Sequence, residues 1–299
     1  MAKQLKPVQL FLALGLATSI MACGNASNEG GKSTEELQPS PTETTTEEDG
    51  EGDEGGEGHG GHEDGEGDEG GEGGEGGEGG EGASSGNPDV DYMTSLGLMK
   101  GHLIAAQELM EQGKYEEAQP HIGHPVDELY GGIEPQLQER KVGEFKSTLT
   151  QLNDLVKSAP KDPQVKQLHQ EAQQKIDQAI AIIPETERQS PELGLSVINQ
   201  MLRTAAEEYQ AAIANDKIVE ALEYQDSRGF VVYAQTLYEN IAPQAEQKSP
   251  EDAKKIKAKL DELEKAWPSI EPPEKPVKTP SEVYGLVGEI ELASSSLTR

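Results

Sequence analysis

The sequence predicts an all-α protein, a multi-helix bundle carried behind a disordered acidic tether rich in glycine and glutamate. Three observations carry that prediction. From residue 87 onward a capping residue followed by proline recurs, at Asn87-Pro88, Asp162-Pro163, Ser190-Pro191, Ser249-Pro250 and Thr279-Pro280. This pair marks a helix start, because the cap side chain accepts a backbone N–H and proline is preset for the first turn. Between these starts the apolar residues repeat at helical spacing, as in Tyr92, Leu96, Met99, Leu103, Ala106 and Met110, and again in Leu195, Ile198, Leu202, Ala205, Tyr209 and Ala212. Residues 25–86, by contrast, contain almost nothing to bury.

The chain opens with Lys3 and Lys6 ahead of an apolar run from Val8 to Ala17. That is the charge order of an export signal, and the run is shorter than the roughly 20 apolar residues a membrane span needs. It ends at Ser19-Ile20-Met21-Ala22-Cys23, which resembles the lipobox of bacterial lipoproteins. The resemblance implies cleavage after residue 22, diacylglycerol on the Cys23 sulfur and acylation of the new amino terminus. Cys23 is the one cysteine in 299 residues, so the chain forms no internal disulfide. An acyl anchor of this kind places the protein at the cell envelope, facing the periplasm or the exterior. Gly24 follows the cysteine where an aspartate would retain a lipoprotein at the inner membrane, which favours the outer membrane in an envelope that sorts by this position.

Residues 23–86 form the tether. About 20 acids face the single Lys32 there, a large share of the formal net charge of −31. A flexible segment of this length spans on the order of 40 Å, and carboxylate repulsion extends it further. The charge disfavours nucleic-acid binding, which needs clustered Lys and Arg. Within the tether His59 and His62 lie among carboxylates, a combination that collects divalent cations weakly.

Residues 87–299 make the folded part, with helices expected near 88–112, 114–119, 125–132, 142–158, 163–183, 191–214, 217–246, 249–266 and 280–297, and no strand. Lys114, Glu117 and Ala118 line up with Lys217, Glu220 and Ala221, and Leu152, Leu155 and Pro160 with Leu260, Leu263 and Pro268. A duplication of this kind would give two packed four-helix halves.

Two stretches carry chemistry. In Pro120-His121-Ile122-Gly123-His124-Pro125-Val126-Asp127-Glu128 the two prolines argue against one continuous helix, which puts His121 and His124 on a short loop with Glu128 in the next first turn. With His102 from the preceding helix, His121, His124 and Glu128 form a candidate site for Zn, Cu, Fe or Mn, since imidazole and carboxylate are the ligand types these metals take. His169 is expected on an exposed face, outside the group. The alternative is that these histidines cap helices or bond backbone.

The second stretch is Glu223 to Phe230. Helical counting puts Asp226 on the stripe made by Val219, Leu222, Phe230, Tyr233, Leu237 and Ile241, so its carboxylate should be buried and must have a partner. Two readings stand open. Asp226 belongs to an internal polar network that fixes how helices dock, with Arg228 as one candidate partner. Otherwise Asp226, Tyr224, Arg228 and Glu207 join the histidines in one pocket, with Gly229 allowing close helix approach.

The stretch Leu109 to Ala118 also resembles the turn of a tetratricopeptide repeat, over half of one repeat, a resemblance that implies a helical scaffold for a protein partner. The exported, helical, His- and carboxylate-bearing plan is similar to imelysin-like periplasmic proteins linked to iron uptake. Those proteins carry a Gly-x-His-x-x-Glu motif; here Gly101-His102 lacks the acid three residues on, position 105 being alanine. No nucleophile–base pair and no phosphate-cradling loop is present in the sequence. The expectation is a non-catalytic, lipid-anchored binding protein that handles a divalent transition metal; the competing class is a module that docks another envelope or transport protein.

Overall fold

The computed structural model describes residues 84–298. The signal sequence, Cys23 and the tether histidines His59 and His62 lie outside the described residues.

Helix α1 (Pro88–Glu111) begins where the sequence places it, with the Asn87 side chain accepting from the amides of Asp89 and Val90. It ends in a Schellman turn. Lys114 N–H bonds Leu109 O at 2.9 Å and Gly113 N–H bonds Met110 O at 3.0 Å, with Gly113 at φ +79°, a conformation glycine adopts without steric cost. Helix α2 (Tyr115–His124) runs through a π-helical turn, Pro125–Leu129, into α3 (Tyr130–Glu139). Then come α4 (Lys146–Ser158), α5 (Pro163–Ile180), the single turn α6 (Glu185–Arg188) and α7 (Pro191–Ala211). A two-residue hairpin, β1 (Ile213–Ala214) and β2 (Lys217–Ile218), separates α7 from α8 (Ala221–Lys248). Helices α9 (Pro250–Leu263) and α10 (Pro280–Ser294) complete the chain, linked by a 3₁₀ turn at Glu264–Ala266 and a proline-rich loop.

The all-α expectation holds, with two corrections. The hairpin replaces the expected start of a helix at 217, because Asn215 and Asp216 both sit in the left-handed region (φ 52° and 58°) that a two-residue type I′ turn requires. The loop expected at His121 and His124 is instead helix. Pro120 falls in the second turn of α2, and the carbonyl it frees belongs to the exposed Glu116, which water can satisfy. Pro125 widens the chain rather than ending it. It has no N–H for the His121 carbonyl, and Tyr130 N–H reaches back five residues to Pro125 O.

The helices pack as two four-membered rings. In one, α1 packs against α2 and α5, α2 against α4, and α4 against α5; in the other, α7 packs against α8 and α10, and α9 bridges α8 and α10. Helix α1 also lies on α7 and α8 and so belongs to both. Its middle, Leu96 to Leu103, is buried on every side of the helix. Each fully buried leucine contributes about 1.5–3 kcal/mol.

The close crossing of α1 and α8 is the feature that places the site. A Cβ on Gly229 would stand 2.3 Å from Gly101 O, and one on Gly101 would stand 2.5 Å from the Phe230 ring. Only paired glycines let the two backbones touch, and this contact sets His102, next to Gly101, beside Asp226, one turn before Gly229.

Candidate metal centre

Asp226 is fully buried on α8, and imidazoles surround it. His102 Nδ1 on α1 and His121 Nδ1 on α2 both lie 2.6 Å from its Oδ1. His124 Nδ1, one helical turn beyond His121, lies 3.5 Å from Oδ2. The His102 ring meets the His124 ring edge to face at a centroid separation of 5.0 Å and the Phe230 ring at 4.9 Å. His121 and His124 share a helix face because they are three residues apart. The π turn that follows re-aims the chain, so that α3 still buries Ile133 and Leu137 in the core.

The electrostatics follow from this geometry. Burial by itself pushes the Asp226 carboxyl up, but the charges and hydrogen bonds of His102 and His121 outweigh it and hold the carboxyl well below its ordinary value. The group is therefore a carboxylate, an acceptor only, and the two Nδ1 atoms that face Oδ1 donate their protons to it. Oδ2 is buried and has no hydrogen-bond donor among the described residues. A carboxylate oxygen left so in a dry interior is costly unless a cation faces it.

The donor set suits such a cation. One ligand atom from each of His102, His124 and Asp226 can be chosen so that all lie within 4.8 Å of one another. Ligands held 2.0–2.2 Å from a common ion stand about 3–4.4 Å apart, so small side-chain rotations close the site. Two imidazoles and one carboxylate leave coordination positions open.

Several sequence expectations are relocated. Glu128 is exposed, because the π turn directs it and Asp127 to solvent, and Asp226 stands where a carboxylate ligand was sought. His169 is buried, not exposed: its Nε2–H donates to Leu103 O at 2.8 Å. Glu207 is exposed on α7. Tyr224 is turned away from the histidines, its hydroxyl donating to Ser269 O at 3.1 Å, which pins the proline-rich loop. Arg228 pairs with Glu108 of α1 at 2.9 Å and not with Asp226. Sequence reasoning missed Gln225, whose side-chain amide lies 2.8 Å from His121 Nε2. Its only sequence signal is adjacency to Asp226 on the buried side of α8.

His169 supplies a pH dependence unconnected with metal. Burial lowers its imidazole from the ordinary 6.5, with the Leu103 carbonyl opposing. The unfolded chain therefore takes up this proton first on acidification, and stability falls as the pH drops below 6.5 until the folded form titrates, by up to about 1.4 kcal/mol per pH unit. In urea melts of the metal-free protein, His169→Gln is expected to flatten the decline between pH 6.5 and 5.5 relative to wild type. Equal slopes would mean that His169 is not held neutral.

Residues 184–299 match the model of the iron permease-associated 4-helix bundle domain. The match covers α7 to α10, the second ring, and so includes Asp226, whereas His102, His121 and His124 lie outside it. The C-terminal bundle is thus similar to a domain associated with metal uptake. Neither a curated protein nor a solved structure matches the chain. No helix among the described residues is long and apolar enough to cross a membrane.

Proposed function

We propose that the protein is a non-catalytic metal carrier that binds one divalent transition metal through His102, His124 and Asp226, at the seam between its two helical bundles. The observation that carries this reading is the buried Asp226 carboxylate, with one oxygen held by two imidazoles and the other lacking a hydrogen-bond donor and within reach of His124. A purely structural polar network would be expected to satisfy both oxygens. Imidazole ligands argue against Mg and Ca and for Zn, Cu, Fe or Mn. The likeness to an iron permease-associated bundle puts iron first among these.

The lipobox-like Cys23 and the acidic tether suggest that this carrier works at the envelope, on a membrane anchor, and passes its ion to a transport protein. The interaction-module reading draws on the outer face of α10, where Tyr284 and Leu292 stand exposed. It complements the carrier reading, since a carrier must dock where it delivers.

The test is titration of the full chain, purified metal-free and carrying His59→Ala and His62→Ala so that the tether does not contribute. Fe(II) under anaerobic conditions, Zn, Mn and Cu are each expected to bind at one site far tighter than millimolar. Affinity order alone follows the Irving–Williams series, so the metal carried in the cell is read from protein isolated with its native load. The absence of any site tighter than about millimolar would end the carrier reading. Cys23→Ser should move the protein from the membrane to the soluble fraction, and unchanged fractionation would contradict the anchor.

A further inference from the structure

His121 differs from the other two histidines at the centre. It is fully buried, and both of its ring nitrogens already face protein atoms, Nδ1 at 2.6 Å from Asp226 Oδ1 and Nε2 at 2.8 Å from the Gln225 side chain. It does not belong to the group whose ligand atoms converge within 4.8 Å, which is made by His102, His124 and Asp226. Gln225 is itself buried, and its Nε2 has no hydrogen-bond partner among the described residues. A 180° turn of the terminal torsion exchanges oxygen and nitrogen of a glutamine amide. In the turned form Nε2 donates to the His121 Nε2 lone pair, which leaves the His121 proton on Nδ1, where Asp226 accepts it.

We propose that His121, set by Gln225, is a positioning residue and not a ligand: it grips Oδ1 of Asp226 so that Oδ2 is presented to the ion held with His102 and His124. This rests on the carrier reading above and adds to it a division of labour among three histidines. The physical reason is orientational. A carboxylate ligand bound through one oxygen rotates about its Cβ–Cγ bond unless the other oxygen is held, and an N–H donor fixed in the core holds it. Gln225 precedes Asp226 on the same helix, so α8 supplies both the ligand and the group that sets the proton position of its holder. His102 also donates to Oδ1 before loading, but on metal binding its ring turns to the ion, and His121 then carries the hydrogen bond alone.

Two measurements on the full chain in the His59→Ala, His62→Ala background test this. The first is the number of imidazoles bound to Cu(II), counted by pulsed electron paramagnetic resonance through the remote ring nitrogens. Wild type and His121→Leu should both show two, and His102→Gln one. The second is affinity for Zn(II). His121→Leu is expected to weaken it about 10–100-fold, the usual effect of losing a partner of a metal ligand. His121→Asn keeps an amide N–H near the Nδ1 position and should recover part of that loss. Gln225→Leu leaves His121 in place, and it should weaken binding several-fold with two imidazoles retained; this keeps the test decisive if His121→Leu fails to fold. An imidazole count that falls in His121→Leu would make His121 a ligand and overturn the proposal. Unchanged affinity in both His121→Leu and Gln225→Leu would overturn it as well. If the wild type binds neither ion, the failure lies in the carrier reading and the proposal falls with it.

Discussion

Asp226→Asn is expected to abolish tight metal binding while leaving the protein folded. The amide oxygen can still accept the Nδ1 protons of His102 and His121, which the carboxylate Oδ1 accepts at 2.6 Å, so the hydrogen bonds of the apo centre persist. What disappears is the negative charge and the oxygen that faces His124, because the amide presents NH₂ in its place. A loss of at least about 100-fold in affinity corresponds to about 2.7 kcal/mol, a modest figure for a removed carboxylate ligand. Asp226→Ala should behave differently. It leaves two buried imidazole N–H groups with no acceptor, and removing one partner of a buried charged pair destabilises by about 3–5 kcal/mol. The pair of variants separates the two readings of this aspartate. Isothermal titration should report the loss in Asp226→Asn and urea denaturation the loss in Asp226→Ala. Wild-type affinity in Asp226→Asn would reduce the residue to a helix-docking role.

Gly229→Ala should be costly although it adds one methyl group. The new Cβ would stand 2.3 Å from a backbone oxygen on α1, and a backbone cannot move aside as a flexible side chain can. Forced overpacking of this kind costs about 1–3 kcal/mol and occasionally more. Relief requires α1 to move off α8, and that separates His102 from Asp226, so metal affinity should fall together with stability. Gly285→Ala on α10 provides the control. Nothing lies within 4 Å of its Cβ position, and alanine is the better helix former by about 1 kcal/mol, so this variant should be slightly more stable than wild type. A Gly229→Ala protein as stable as wild type would show that the crossing is looser than the structure describes.

The helical start signals proved legible because they are local. The side chains of Asn87, Asp162, Ser190 and Thr279 each accept a first-turn amide, and Thr279 with Glu282 forms a full capping box. Ser249 opens α9 but bonds the Asp252 side chain instead. Asp226 was also readable as buried, since its place on the α8 stripe follows from counting by turns.

The site itself was only half legible. The sequence singles out the three histidines, but proximity along the chain favours Glu128 over Asp226 as their carboxylate, and Glu128, in the π turn after Pro125, is exposed to solvent. His169 looked like a surface residue on a polar helix, yet α1 covers that helix face and Leu103 O takes its proton. Arg228 looked like a partner for Asp226 two residues away, although residues so spaced point to different sides of a helix.

The sequence by itself determined the five helix starts marked by a cap and a proline, the single cysteine, the acidic composition of residues 25–86 and the apolar stripe that carries Asp226, because each is read from the chain itself or from neighbours within a turn or two. Only the tertiary structure decided which carboxylate meets which imidazole. Gly101 and Gly229 are 128 residues apart, and nothing local to either reveals that their backbones touch. Where two helices cross with no side chain between them, the residues one turn away are brought within hydrogen-bond reach, and that contact exists only in the packed molecule.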